Sequence, residues 1–219
     1  MSAAHVVRYP ERSDDSVQLP RLDLSFDPSP FPMLIRPTAP MTEDELLRFC
    51  RLNKGFEIEC EPDGTLYVMT PAGAKTSRLN IYLNRELDLW AESDGRGLTF
   101  GSDVGVRFPD LSMRAPDAAW TTLLRYEALD RAAQERFLPY CPEFIAELRS
   151  PSDSTSRIEA KMEFWMSRGA QLGWLIDPQR NLAMIYRPGR EPETMLNPEF
   201  LDGEGPISGF RLKMQRFWE

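Results

Sequence analysis

Histidine is almost missing from this chain: one of 219 residues, His5, close to the N-terminus. That scarcity removes whole classes of chemistry. A Ser-His-Asp or Cys-His relay has no imidazole available in the body of the chain. Histidine-based zinc sites such as HExxH are absent. So are a Walker-type phosphate loop and a GxGxxG opening a helix. The three cysteines, Cys50, Cys60 and Cys141, form neither an even set nor a close pair. A disulfide framework is therefore excluded, and buried free thiols are expected. No apolar run is long enough to span a bilayer, and the opening "MSAAHVVRYPERSDD" lacks the apolar core of a secretion signal. The expected location is the cytoplasm, with no membrane partner. Positive charge is also short. A net charge of −8 has the wrong sign for a protein that coats nucleic acid by bulk attraction. It leaves room for a local basic surface, or for phosphate met through a bound cation. Hydrolysis in this chain has to be built from carboxylates, Lys, Arg and hydroxyls.

Against these absences, the composition is that of an ordinary soluble protein, 42% hydrophobic and 27% charged, long enough for one domain with appendages. Residues 1–40 hold seven prolines and no helical period, and read as an extended N-terminal extension. The folded domain is expected over 41–219. "TEDE" at 42–45 forms a capping box for a short helix. "FEIEC", "EPDG" and "TLYVM" read as a β-hairpin. A helix capped by Thr76 or Ser77 carries Leu79, Leu83, Leu87 and Trp90 on one face. "LTFGS" and "VGVRF" are strand-like, and "PDLSMR" is a turn. "DAAWTT" reads as a short buried strand, "LRYEALDRAAQER" as a helix and "FIAELR" as a second strand. The next helix runs over "SRIEAKMEFWMSRG", with a capping box from Ser156 to Glu159 and a terminal Gly169. "LGWLID" and "LAMIYRP" are further strands, and the tail forms one or two edge strands. This order predicts a single α/β domain around a mixed central sheet.

The chemistry is concentrated in the middle of that order. Side chains two apart on a strand share a face, so Glu147 and Arg149 are expected on one side of "FIAELR" with Ile145. A glutamate within a mostly apolar strand is costly to bury without a partner or a metal. Asp117 opens the "DAAWTT" strand. If the two strands are neighbours, Asp117 and Glu147 can converge on one divalent cation, and oxygen ligands with retained water suit Mg²⁺. Two acids on two strands also occur by coincidence. Lys161 borders the apolar stripe of Ile158, Met162, Trp165 and Met166. Its ammonium either snorkels to water or reaches the carboxylates or a phosphate.

"APDAAW", "CPEFIAELRSPSDS", "KMEFWMSRGAQLGWLIDP" and "MIYRPG", in this order, resemble the bacterial restriction-endonuclease domain family (Uma2, DUF820-like) of the PD-(D/E)XK nuclease superfamily. The resemblance extends to "FEIECEPDGTLYVMTPAG", "LNIYLNRELDLWAE" and "ISGFRL", and covers about 41–217. It implies a restriction-endonuclease-like core, a mixed central sheet flanked by helices, and Mg²⁺-assisted hydrolysis of DNA, with Mn²⁺ able to substitute. By motif match Asp117 and Glu147 are the metal-binding acids. The motif lysine falls at Arg149, and its role is carried over to Lys161 on the following helix. Glu57 matches a family glutamate that lines the site. Arginine stays protonated in proteins, so Arg149 is no general base. It is expected to grip phosphate or to pair with Glu147. The alternative is a nuclease fold used for DNA or protein binding or for regulation, without useful turnover. Cutting two strands implies a homodimer.

Overall fold

A computed structural model describes residues 32–219. His5 and most of the Pro-rich extension lie outside the described residues. The elements in chain order are β1 (Met33–Ile35), α1 (Glu43–Leu52), β2 (Glu57–Cys60), β3 (Leu66–Met69), α2 (Ala74–Asp94), β4 (Gly97–Gly101), β5 (Val106–Arg107) and β6 (Met113–Arg114). They continue with β7 (Ala118–Thr122), α3 (Leu123–Glu127), α4 (Arg131–Gln134), β8 (Phe144–Leu148), α5 (Thr155–Ser167), β9 (Leu172–Asp177) and β10 (Leu182–Tyr186). The last are β11 (Glu193–Leu196), β12 (Phe200–Asp202), β13 (Arg211–Lys213) and α6 (Gln215–Trp218).

The central sheet has the order β11-β10-β9-β8-β7-β4 and is mixed: β8 and β9 run parallel, and the other neighbours are antiparallel. A parallel pair needs a crossover, and α5 supplies it. Every residue of β8 and β9 is buried, because both faces of the sheet are covered. On one face, Leu79, Leu83 and Leu87 of α2 pack against Phe144, Ala146 and Leu148. On the other, Ile158, Met162 and Trp165 of α5 pack against Ile145 and Leu175. Strand alternation thus sorts β8 between two cores. A second sheet, β1-β3-β2-β6-β5, packs Ile58, Leu66 and Val68 against Leu46 and Phe49 of α1. The β12–β13 ribbon brings Phe210 onto Trp174, with ring centroids 5.7 Å apart.

Several local expectations change. The folded part begins before Met41, because Met33–Ile35 of the Pro-rich segment pairs with β3 as an edge strand. The helix expected over "LRYEALDRAAQER" is two short ones, since the Asp130 side chain accepts from Ala133 N and starts a new cap. α2 begins at Ala74 after Gly73, so Thr76 is not a cap but a buried helical residue. Ser154, not Ser156, caps α5, accepting from Arg157 N. "PDLSMR" contains β6 after its turn. The box at Thr42 and Glu45 forms as expected. Cys60 and Cys141 are buried free thiols, and Cys50 is half-buried. Among the described residues, no helix is long and apolar enough to cross a membrane.

Close packing makes two glycines informative. A Cβ on Gly97 would lie 2.3 Å from the Thr121 carbonyl oxygen and the Trp120 ring, both held within the sheet. On Gly173 the obstacle is the tip of Met162, at 2.5 Å, which can swing aside. Gly97→Ala is expected to lower stability by about 2 kcal/mol, and Gly173→Ala by less. The midpoints of urea unfolding check this; equal losses would contradict it.

Candidate active site

The register of β7 and β8 decides where the acids fall. Ala118 pairs with Ala146 and Ala119 with Ile145. One step beyond that ladder, Asp117 at the entrance to β7 comes level with Glu147. Like charges directly opposite on neighbouring strands repel, so this pair is held by other groups. Asp117 Oδ2 accepts from Leu148 N at 2.7 Å, and Oδ1 from Asn80 Nδ2 at 3.0 Å. Asn84 Nδ2 donates to the Asp117 carbonyl at 2.9 Å. Glu147, 1% exposed, accepts from Trp165 Nε1 at 2.7 Å. Lys161 Nζ stands 3.1 Å from Glu147, 3.0 Å from Glu59 and 2.7 Å from the Ala115 carbonyl oxygen that it bonds. The lysine therefore does not snorkel; it turns inward.

These contacts follow from local periodicity. Arg157, Lys161 and Trp165 recur every four residues on α5, so they share a face over the end of β8. Thr76, Asn80 and Asn84 keep the same spacing on α2 and form a polar stripe beside the apolar one. Glu57 and Glu59 are two apart on β2; Glu59 is buried and Glu57 exposed. Together these elements line a cleft of about 590 Å³ that includes Glu57, Glu59, Asn80, Asp117, Glu147 and Lys161.

The site is short of positive charge. Burial, with Asp117 and Glu59 nearby, pushes the Glu147 carboxyl up to about 8 despite Lys161 and the Trp165 hydrogen bond. Burial also raises Asp117, against the pull of Lys161 and its hydrogen bonds from Leu148 and Asn80. Glu57, exposed at its own surface yet flanked by the walls of the cleft, is raised by the partial loss of bulk water there and then by Asp117. Burial would raise Glu59 too, but Lys161 and Arg114 outweigh it and hold that carboxyl below its ordinary value. For Lys161, burial favours the neutral amine, yet Glu147, Glu59 and Asp117 together raise its pKa, so it stays an ammonium. Three acids thus fix the charge of Lys161.

Of the residues singled out from sequence, the structure brings together Asp117, Glu147 and Lys161, with Glu57 at the mouth of the cleft. Arg149 is elsewhere. β8 ends at Leu148, and the Arg149 guanidinium turns to Asp177 at 2.9 Å and to the Asp153 carbonyl oxygen at 3.1 Å. The expected pairing with Glu147 does not form, because Lys161 and Trp165 already occupy that carboxylate. Glu59, Asn80 and Trp165 were not anticipated at the site. The two-residue spacing from Glu57 and the polar stripe on α2 signalled the first two. Nothing in periodicity separates Trp165 as a donor from Trp165 as core.

The donors fit a hard divalent cation. Among the described residues no group of three or more His, Cys, Asp or Glu gathers for a metal. Asp117 and Glu147 are two opposed carboxylates, and the buried Asn80 Oδ1 has no hydrogen-bond partner among the described residues. One or two carboxylates with water and substrate phosphate is the usual Mg²⁺ arrangement.

Residues 43–215 match the model of the Uma2 family, described as "Putative restriction endonuclease". No curated protein matches. A solved structure, "Crystal structure of a putative nuclease belonging to DUF820 from Anabaena variabilis ATCC 29413", is similar at 22% identity and a TM-score of 0.67, covering 82% of this chain and 98% of that one. That likeness concerns the fold.

Two outcomes are expected. The folded Glu147 carboxyl holds its proton more tightly than the unfolded one, so its contribution to stability is complete below about pH 4.5 and is lost as pH rises through about 8. Thermal melts in chelator should show wild type losing stability relative to Glu147→Gln across that window; parallel curves would refute the raised pKa. Arg149→Ala strands Asp177, which is 1% exposed, and should cost about 3 kcal/mol in urea unfolding.

Proposed function

The chain belongs to the Uma2 family, a family of the restriction-endonuclease type, and on that premise we propose that it is a divalent-cation-dependent endonuclease hydrolysing DNA phosphodiester bonds in the cleft at Asp117 and Glu147. At the coarser level, its family and fold are those of a nuclease. One observation carries the finer reading: the half-buried Asp117 at the entrance to β7 lies level with the buried Glu147 of β8, and a lysine bonds the latter.

Asp117 and Glu147, with the Asn80 amide oxygen beside them, would hold Mg²⁺ or Mn²⁺. When bound, the cation lowers the pKa of its water and offsets charge on the phosphate. Trp165 Nε1 fixes the orientation of Glu147, and Asn80 with Leu148 N fixes Asp117. Lys161, held as an ammonium, orients the attacking water or meets negative charge developing on the phosphate; it does not act as the base. Glu59 keeps that ammonium aimed at the site. Arg149 acts as a brace for the loop before α5, not as a phosphate grip.

The small acidic set favours a second reading, a nuclease fold that binds DNA or protein without useful turnover. The two readings separate cleanly. Plasmid incubated with Mg²⁺ or Mn²⁺ should be cut, and Asp117→Asn, Glu147→Gln and Lys161→Met should each lower the rate about 100-fold or more. Unchanged cleavage in the acid variants would reject the site. Calorimetric titration should find that the cation binds more tightly as pH rises through about 8, displacing the Glu147 proton. A wild type that binds no cation and cuts nothing would support the second reading. Under the nuclease reading a double-strand cut takes two sites, so the working form is a homodimer; sedimentation with and without DNA tests it.

A further inference from the structure

The acids of the cleft would repel a polyanion, so the path of a nucleic-acid strand depends on the cations that line it. Among the described lining residues these are Arg51, Lys54, Arg157 and Lys161. Lys161 is committed to Glu147, Glu59 and the Ala115 carbonyl. Arg157 lies one turn earlier on the same face of α5 and is in a different state. Its side chain is 33% exposed, and its approach to Glu59 is 3.7 Å, beyond hydrogen-bonding range. Glu59 already has Lys161 at 3.0 Å. Among the described residues, the hydrogen-bond acceptor of the Arg157 guanidinium is the Met69 sulfur at 3.2 Å, a weak one. The guanidinium lies over the Tyr67 ring, 4.9 Å from its centroid, which holds it in place without using its in-plane donors. Arg149 and Arg114 differ: the first is spent on Asp177 and the Asp153 carbonyl, the second on Glu61 and the Cys60 carbonyl.

We propose that Arg157 is the phosphate-gripping residue of the cleft, its free fork taking a backbone phosphate next to the scissile one. Arg51 and Lys54, exposed near the C-terminal end of α1 and lining the same cleft, continue the track outward. A planar guanidinium held on an aromatic ring with unspent donors is suited to bidentate phosphate binding. The track brings three cations to a cleft whose other charged lining residues, Lys161 apart, are acids, in a chain whose net charge is −8. The proposal rests on the nuclease reading and adds to it where the strand enters.

The test uses the full chain and a labelled DNA oligonucleotide, single-stranded and duplex, in chelator over a salt series, followed by cleavage kinetics with Mg²⁺. Arg157→Gln should weaken binding about tenfold and reduce the salt slope by about one. It should raise KM with kcat little changed, and leave the melting temperature near that of wild type. Arg51→Gln with Lys54→Gln should lower the slope further. Arg157→Lys keeps the charge and loses the fork, so binding should weaken with the slope retained; this variant decides the matter if Arg157→Gln folds poorly. Arg190→Gln, at a separate shallow cleft beside Gln171, removes the same charge and should change nothing. If wild type binds and cuts DNA while Arg157→Gln and Arg157→Lys match it, the track is wrong and the nuclease reading stands. If wild type neither binds nor cuts DNA, both fall.

Discussion

Two carboxylates brought level with each other at the end of neighbouring strands, the half-buried Asp117 and the buried Glu147, are the constraint around which the rest is arranged. Opposed charges of one sign destabilise a sheet, and burial adds to the cost. The fold meets that cost from three directions. α2 reaches Asp117 with Asn80 and Asn84, α5 reaches Glu147 with Lys161 and Trp165, and the Leu148 amide closes on Asp117 from the adjacent strand. The compensation is incomplete, and the raised Glu147 and Asp117 express it. Buried ion pairs are weak evidence for stability. On the proposed function, this cluster is a site whose unmet charge is available to a cation.

The lysine's position depends on parts that never touch the carboxylates. Arg149 grips Asp177 at the end of β9 and the Asp153 carbonyl. Asp153 in turn accepts from Ser150 N at 2.8 Å and Ser150 Oγ at 2.7 Å. These bonds set the turn from β8 into α5, where Ser154 caps the helix. α5 then enters at a fixed angle, and Lys161 arrives over Glu147 two turns later. The ammonium comes from the helix, and the guanidinium holds the helix's entrance.

Much of this was legible beforehand. The paired apolar strands, the crossover helix and the mixed sheet followed from period and order, because fully buried strands and an amphipathic helix leave distinct patterns. Glu147 is marked by its place inside an apolar strand, Asp117 by its place at the start of one and Lys161 by its place beside a helical apolar stripe, and the likeness to a nuclease family joins the three into one site. Glu59 was harder: "FEIEC" shows two glutamates on one face, and alternation does not say which is covered. That depends on how the second sheet lies against α5. Likewise Trp165 reads as core from its spacing, and its indole N–H acquires a role only once Glu147 lies beneath it. The start of α5 moved from Ser156 to Ser154, two serines near one entrance, while α2 begins after Gly73 with no side-chain cap.

By itself the sequence determined the fold class, from local pattern, and the family likeness, whose motifs pick out Asp117, Glu147 and Lys161. The tertiary structure decided the partnerships. Register put Asp117 across from Glu147, the end of β9 drew Arg149 away to Asp177, and the second sheet delivered Glu59 to Lys161 while leaving Arg157 with donors to spare. Which charges meet is a matter of angstroms across distant segments, and a one-dimensional pattern does not hold that distance.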